Sequence, residues 1–316
     1  EDLGFERKVC PVCKKGFWTL DTEREHCPNP ECGEEYTFIH DSPAKVKWDY
    51  IQAWKEFERF FVKHNHSSIP RYPVVAVWRE DLFFNIASIV NFQRFEEGKM
   101  VFEYPANPLI VPQICLRFND IENVGVTGRH NTCFMMPGQH AFNWPKEGYW
   151  KDKTIELNFE FLTKVMGIPK EEIVYVEELW TMPDLSAFGP YIESFCRGLE
   201  LCNSGFMEFG KSGNCYRPLE VKVVDVGWGL ERLVWVSNGS LTSYDVIFGP
   251  VMEKLKKSVN FEVDEEFLIK FARISGCLDV ESRNFKTFLE RIGMNENCLL
   301  YTSPSPRDLS TSRMPS

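Results

Sequence analysis

The chain has 316 residues, of which 46 are acidic and 36 are lysine or arginine, so its formal net charge is −10. A chain of this length can bury the cores of about two or three domains. Its acidity argues against nonspecific binding of nucleic acid, but leaves RNA recognition by shape or by a local basic patch open. No apolar run approaches the ~20 residues of a membrane helix, and the polar start EDLGFERK is unlike a secretory signal. We therefore expect a cytoplasmic protein whose 11 cysteines are reduced thiols or metal ligands.

The first 40 residues contain two close pairs of cysteines, which predict a structural zinc site. Two residues separate the first pair, 13 residues separate the pairs, and four separate the second pair, which is wider than usual. Such an arrangement is typical of a zinc ribbon, in which four thiolates complete a tetrahedron and the ion supports folding rather than catalysis. Four free buried cysteines are the alternative. The residues are Cys10, Cys13, Cys27 and Cys32.

The next segments predict helices and strands. Residues 48–64 predict an amphipathic helix, because apolar side chains recur there at helical spacing; they are Ile51, Trp54, Phe57 and Phe61. Extended segments interrupted by prolines follow. The later elements are a helix over 154–166 and a short strand over 170–178. A helical region follows, whose first parts are residues 254–257 and 264–275, and it reaches about residue 290.

Residues 114–143 predict two strands joined by a basic, glycine-containing loop, which is a candidate triphosphate site. Arg117 would bind the α-phosphate, and the loop residues Arg129 and His130 would bind the outer phosphates as cations. Phe134, on the returning strand, would offer a stacking face for adenine. The string GFMEFGKS, residues 205–212, matches GxxxxGK[ST], whereas GxGxxG does not occur in the chain. We nevertheless expect the nucleotide at this strand–loop–strand unit and not on a P-loop or a Rossmann turn.

Residues 221–232, VKVVDVGWGLER, predict a strand, a tight turn and the start of a helix. The turn would bring the Asp225 carboxylate close to the Arg232 guanidinium, and Gly227 and Gly229 would let a ligand approach the backbone. A carboxylate suits an ammonium group and a guanidinium suits phosphate. A pocket with both predicts an amino acid and a nucleotide as ligands, whereas a strand–helix junction with a surface ion pair is the alternative for this motif alone.

Together these segments resemble the catalytic region of the alanyl-tRNA synthetase family, which is part of class II, in the archaeal style at the N-terminus. The segments that carry the resemblance are FWTLDTEREHC, YPVVAVWREDLFFNIASI, NPLIVPQICLRFNDIENVGVTGRH and QHAFN. Motifs 1, 2 and 3 of the class would be residues 50–75, 114–136 and 221–235. The resemblance implies an α+β fold, with a six-stranded antiparallel sheet flanked by helices. The expected division is a zinc-ribbon-like unit over 1–40, a catalytic domain over 41–250 and the start of a helical tRNA-recognition domain over 251–297.

The resemblance also implies an activity, its cofactors and its partners. The enzyme would activate alanine with ATP and Mg²⁺, and would transfer the alanyl group to tRNA(Ala) in translation. Arg117 and Arg232 would be the catalytic residues, since positioning and charge neutralisation suffice for this reaction. No membrane is implied, and a homodimer stays open. Because the editing domain and most of the tRNA-recognition region are not in this sequence, we expect activation of alanine but poor charging and no editing.

Two sets of site residues follow from the resemblance. The set for ATP is Arg117, Arg129, His130, Phe134, Met136 and Arg232. In the set for alanine, Asp225 would receive the ammonium group and Trp180 would wall the side-chain pocket. The remaining members of that set are Asn203, Gly205 and Gly227.

Three positions depart from the family pattern. Gly205 stands where the family usually has a valine beside the substrate methyl group. The absence of the valine side chain would enlarge the pocket or leave a void. Met135 stands where a glutamate is usual, which would remove an acceptor near the adenine amino group, and Pro137 replaces a non-proline residue. The alternative is therefore a paralogue that binds an adenylate or RNA without aminoacylation, or one with altered amino-acid specificity.

Residues 298–316 lack apolar periodicity and are rich in Ser, Pro and Arg, so they predict a disordered tail. The string CLLYTSPSPRD also resembles the translation of a sequencing-library adapter, which is the interpretation we favour. The natural chain would then be interrupted near Asn297.

Overall fold

The computed structural model describes residues 3–96, 99–181, 187–212, 215–259, 264–280 and 285–293. The expectation for the tail over 298–316 lies outside these residues. The strands are β1 (Glu6–Val9), β2 (Gly16–Thr19), β3 (Ser67–Ser68), β4 (Gln93–Glu96), β5 (Lys99–Phe102), β6 (Leu109–Leu116), β7 (Cys133–Trp144), β8 (Ile173–Thr181), β9 (Phe188–Cys196), β10 (Leu199–Ser212) and β11 (Cys215–Trp228). The α-helices are α1 (Tyr50–Lys63), α2 (Lys151–Glu160), α3 (Leu230–Asn238), α4 (Ser243–Ile247), α5 (Gly249–Ser258), α6 (Glu265–Ile274) and α7 (Phe285–Ile292).

One large sheet organises the described residues, with the strand order β1-β2-β8-β9-β10-β11-β7-β6-β3. Its six central strands, from β8 to β6, pair antiparallel throughout, which confirms the predicted sheet. The hairpin β1–β2 of the Cys-rich segment extends one edge, and the short β3 adds in parallel to the other. The strands β4 and β5 form a separate hairpin.

The helix α1 covers one face of this sheet. Asp49 caps it, accepting a hydrogen bond from the third helical backbone N–H in a capping box, and Phe57 and Phe61 are fully buried. Their rings lie 5.6 and 6.4 Å from that of Trp228, on β11. The amphipathic prediction is confirmed, except that Ile51 is exposed, because the buried stripe runs along the other side of the first turn.

The remaining predicted elements occur with shifted boundaries. The helix expected over 154–166 begins earlier, as α2, and ends in a π-helical turn, Phe161–Val165. The strand expected from residue 170 begins at Ile173, as β8, after a short 3-10 turn. The helical region is present as α5, α6 and α7. None of the helices within the described ranges has both the length and the apolar character to cross a membrane.

The sheet face opposite α1 and α3 carries the polar residues of interest. Cross-strand pairing places Asp225 between His140, on β7, and Gly205, on β10. Because side chains two residues apart share a face, the pair formed by Gly227 and Asn203 lies on the same side. The tight turn predicted around Gly227 is wrong. The strand β11 continues to Trp228, and only Gly229 separates it from α3.

Candidate active site

A cavity of about 150 Å³ lies where the β6–β7 loop meets the ends of β10 and β11 and the start of α3. It brings together every residue that the sequence assigned to ATP. It also includes Asn203 and Gly227 of the alanine set, but not Trp180, Gly205 or Asp225. The assigned residues in its wall are Arg117, Arg129, His130, Phe134, Met136, Asn203, Gly227 and Arg232.

Arg117 lies directly after β6 and faces the aromatic ring of Phe134. Its backbone N–H donates to the Thr132 carbonyl (3.0 Å), and its Nε donates to the Ile86 carbonyl (2.9 Å). The centre of its guanidinium lies 5.1 Å from the centroid of the Phe134 ring, within cation–π range. The cavity therefore offers a cation and an aromatic face side by side, as a nucleotide requires.

The loop between β6 and β7 adds one cation rather than two. Arg129 lines the cavity, and its buried Nε has no hydrogen-bond partner within the described residues. The Thr127 hydroxyl lies 2.7 Å from His130 Nδ1. Burial, together with the charges of Arg129 and Arg232, lowers the pKa of His130 to about 3. His130 is therefore a neutral ring here, contrary to the expectation that both residues are cations.

The guanidinium of Arg232 pairs with Glu200, and not with Asp225 as in the ion-pair alternative for this motif. Its Nη1 lies 2.7 Å from Glu200 Oε2 and donates to the Glu200 carbonyl at 3.1 Å. Burial alone would raise the pKa of Glu200, but the Arg232 charge holds it below its usual value. The two residues do not form an ion pair, because β11 continues past Gly227, which leaves Asp225 inside the sheet while Arg232 is on α3.

Glu231 is a second acidic residue that the sequence interpretation missed. Its Oε1 accepts hydrogen bonds from the Met135 backbone N–H (2.8 Å) and the Tyr50 hydroxyl (3.0 Å). It therefore joins α1, β7 and α3, which carry the three motif segments. Its place beside Arg232 was the one available sequence signal, and no pattern singled out Glu200.

The departure at Met135 does not affect the cavity wall. Met135 belongs to the main hydrophobic core, whereas its neighbours Phe134 and Met136 line the cavity, because successive residues of a strand face opposite sides. The expected loss of an adenine acceptor from this wall therefore does not follow from the side chain at this position. Pro137 pairs with Pro112 within the β6–β7 ladder.

Asp225 forms a second, separate part of the site on the same sheet face. Its side chain is 18% exposed, and its Oδ1 lies 3.4 Å from His140 Nδ1. Burial raises the pKa of Asp225 to about 7, and the Arg117 charge opposes this shift. No lysine or arginine of the described ranges forms an ion pair with it. The site thus contains a buried acid that lacks a cation.

Gly205 is the neighbour of this acid on β10, and Trp180 lies on β8, two strands further out on the same side of the sheet. A Cβ atom at Gly205 would lie 3.4 Å from the Asp225 carbonyl oxygen and 3.8 Å from the Tyr191 ring, so Tyr191 borders the space that a larger residue would occupy. Trp180 packs against the hydrophobic cluster that contains Met207 and Val223. The sequence interpretation did not identify Tyr191.

The four predicted cysteines also come together. The Sγ atoms of Cys10, Cys13, Cys27 and Cys32 all lie within 4.8 Å of one another, and the Cys13 and Cys27 Sγ atoms are 3.7 Å apart. Four sulfurs at 2.3 Å from a tetrahedral zinc ion lie about 3.8 Å apart, so the cluster is compatible with zinc.

A second cavity, of about 140 Å³, lies between residues 29–31 of the Cys-rich segment and the side chains of Arg129, Glu200 and Arg232.

The family model of the tRNA synthetases class II (A) matches residues 53–284, and the chain therefore belongs to this family. Among curated proteins it is similar to the alanine–tRNA ligases of three archaea. Identity is 48% over 271 residues for Nitrosopumilus maritimus, covering 86% of this chain and 30% of the relative. It is 51% over 269 residues for Cenarchaeum symbiosum (85% and 29%), and 44% over 291 residues for Methanopyrus kandleri (90% and 31%). These matches confirm the resemblance found in the sequence, although the chain spans only about a third of each relative's length.

Proposed function

We propose that this chain is the catalytic region of an alanine–tRNA ligase, which activates alanine with ATP and passes the alanyl group to tRNA(Ala). The observation that carries the proposal is the composition of the site. Arginines and an aromatic ring share one cavity, and a buried acid without a cation lies on the same sheet face. The first set suits a nucleotide, and the second suits an ammonium group.

In the proposed reaction, Arg117 and Arg129 bind the phosphates, and Phe134 stacks on adenine. Arg232, held by Glu200, faces the same ligand, and Asp225 binds the alanine ammonium. The alanine carboxylate oxygen then forms a bond to the α-phosphorus, while the bond to the β-phosphate oxygen breaks and pyrophosphate leaves. No side chain needs to act as a nucleophile or base, because positioning and charge neutralisation lower the barrier.

The proposal includes two metal ions with different roles. Asp120, Glu200 and Glu231 line the cavity, and carboxylate oxygens are ligands that Mg²⁺ prefers, so one or two of these residues would hold an Mg²⁺ ion that enters with ATP. That ion would neutralise phosphate charge. A structural Zn²⁺ would fill the four-cysteine cluster, whose closed ligand set leaves no position for a substrate.

The test is alanine-dependent exchange of labelled pyrophosphate into ATP by the 316-residue chain. We expect exchange with alanine and none without an amino acid, while charging of tRNA(Ala) is slow. Absence of exchange, together with binding of a non-hydrolysable alanyl-adenylate analogue, would favour the paralogue that does not aminoacylate. We further propose a cytoplasmic location. The homodimer stays a prediction, which a measurement of the molecular mass in solution would test.

An altered amino-acid specificity is the second candidate, and Gly205 is the observation that favours it. The residue faces Asp225 and has no side chain to limit the substrate. Exchange assays with 2-aminobutyrate and valine test this candidate, since a methylene of fit is worth only about 1–3 kcal/mol. If exchange is faster with 2-aminobutyrate or valine than with alanine, that amino acid is the substrate in place of alanine.

A further inference from the structure

His140 is the side chain that flanks Asp225 within the sheet. The two residues are direct cross-strand partners on β7 and β11, and on the other side of Asp225 the partner is Gly205, which has no side chain. Any support for the carboxylate from the two neighbouring strands at this register must therefore come from His140.

The imidazole of His140 is fully buried and has one clear partner. Its Nε2 lies 3.0 Å from the hydroxyl oxygen of Ser88, and rings of Phe92 and Phe142 pack around it. Its Nδ1 is buried and has no hydrogen bond to a described residue, but lies 3.4 Å from Asp225 Oδ1. Burial lowers the pKa of His140 to about 3, against the opposing effect of the Val224 carbonyl. The ring is therefore neutral and carries a single proton.

The contact with Ser88 is compatible with a proton on Nδ1 of His140. If the Ser88 hydroxyl donates to Nε2, the proton must be on Nδ1, which faces Asp225. An Nδ1–H group can then donate to Oδ1 and leave Oδ2 for a ligand. The separation of 3.4 Å is longer than a normal hydrogen bond, and contacts of this kind often shorten when the substrate binds.

We propose that His140 is a positioning residue that orients the Asp225 carboxylate toward the substrate ammonium, and that Ser88 selects the tautomer it needs. This inference rests on the proposed function, since it gives Asp225 a substrate to bind. His140 does not touch the reacting atoms. It fixes the rotamer of the carboxylate and supplies a donor when the ammonium binds the other oxygen.

The test uses pyrophosphate exchange with His140→Phe, which keeps an aromatic ring but removes both nitrogens. We expect the KM for alanine to rise about tenfold or more, which is the usual effect of losing a hydrogen bond to a charged group, while the KM for ATP stays within about twofold. His66→Phe is the matched control. It also removes a buried histidine, but one whose Nε2 pairs with the Tyr149 hydroxyl, and we expect no change in the KM for alanine.

Two further variants secure the result if His140→Phe does not fold. His140→Asn keeps a donor near the position of Nδ1 and should retain most of the alanine affinity, whereas Ser88→Ala should raise the KM for alanine several-fold without changing that for ATP. An alanine KM unchanged in His140→Phe, or in Ser88→Ala where the former does not fold, overturns the inference. Failure of the unaltered chain to exchange pyrophosphate would instead overturn the proposed function, so the two failures are distinguishable.

Discussion

The nucleotide end and the amino-acid end of the candidate site differ in how their charges are balanced. At the nucleotide end, Arg232 has Glu200 at 2.7 Å, and Glu231 accepts hydrogen bonds from two neighbouring elements. At the amino-acid end, Asp225 is a buried acid beside a neutral histidine, and burial raises its pKa to about 7. The protein itself therefore neutralises Arg232 at the nucleotide end, whereas it provides no cation for Asp225 at the amino-acid end.

This difference indicates how each end would respond to its ligand. The Arg232–Glu200 pair is held in place without ligand, so Arg232 needs little rearrangement when a nucleotide binds. A buried acid without a cation lowers the stability of the free protein, and an ammonium group would remove that cost. We therefore expect substitutions at the two ends to have opposite effects on stability.

The largest effect is expected for Asp225→Asn. The kcat/KM for alanine should fall about 10²–10³-fold, since a buried charge pair with the substrate is lost, while the KM for ATP is unchanged.

The same substitution should change the stability in a pH-dependent way. Because the folded state raises the pKa of Asp225 from 3.8 to about 7, the free energy of unfolding falls as the pH rises through this range. The variant should then be more stable than the unaltered chain at pH 8, by about 1–2 kcal/mol, but not at pH 4. Thermal unfolding at both values measures this, and a loss of stability at pH 8 would contradict the comparison.

Arg232→Ala should have the reverse effect at the nucleotide end. We expect exchange to fall about 100-fold, the KM for ATP to rise, and the free energy of unfolding to fall by about 1–3 kcal/mol because Glu200 loses its partner. Arg197→Ala is the matched control. It removes another arginine paired with a glutamate, Glu172 at 2.6 Å, and should lower stability without changing the KM for ATP.

The pH dependence of alanine use should report the Asp225 carboxyl. Below pH ~7 the protonated acid cannot accept an ammonium ion, so kcat/KM for alanine should fall about tenfold per pH unit, with a plateau above. The groups around the carboxyl are His140, Arg117 and Tyr191. Burial and Glu200 also raise the pKa of Glu193 to about 7, so Glu193→Gln is the control. If that substitution removes the inflection, Glu193 is its source.

Loss of zinc should affect mainly the nucleotide end, because residues 29–31 border the cavity next to Arg232. In a Cys10→Ser/Cys27→Ser variant we expect the zinc content to fall from one per chain to none and the KM for ATP to rise about tenfold, with less change for alanine. Cys215→Ser, at an exposed cysteine outside the cluster, should keep its zinc. Metal analysis with both exchange titrations decides this, and an unchanged KM for ATP would separate the cluster from the site.

The smallest effect is expected for Gly205→Ala. The added Cβ would meet its neighbours at 3.4 Å or more, and replacing glycine within a strand gains a few tenths of a kcal/mol, so kcat/KM for alanine should stay within about twofold. Gly189→Ala is the contrasting variant. Its Cβ would lie 1.7 Å from the Phe206 carbonyl oxygen, so it should unfold the sheet locally and lower the melting temperature.

The comparison of sequence and structure separates local features from long-range ones. The sequence predicted the strand–loop–strand around Arg117, the helix that begins after Gly229 and the cluster of four cysteines, because each depends on residues close together in the chain. It also predicted the antiparallel sheet, through the resemblance to a family. Element boundaries shifted by a few residues, since capping and packing determine where helices and strands end.

Charge pairing at the site was decided only by the tertiary structure. The sequence placed Asp225 close to Arg232, seven residues further along the chain. In the structure, cross-strand pairing puts Asp225 next to His140, and the position of Arg232 on α3 brings it to Glu200, 32 residues away. It counted His130 as a cation, but burial beside two arginines makes that ring neutral. Spacing along the chain predicts which residue types are near a site, whereas register and burial determine which groups are charged and which of them pair.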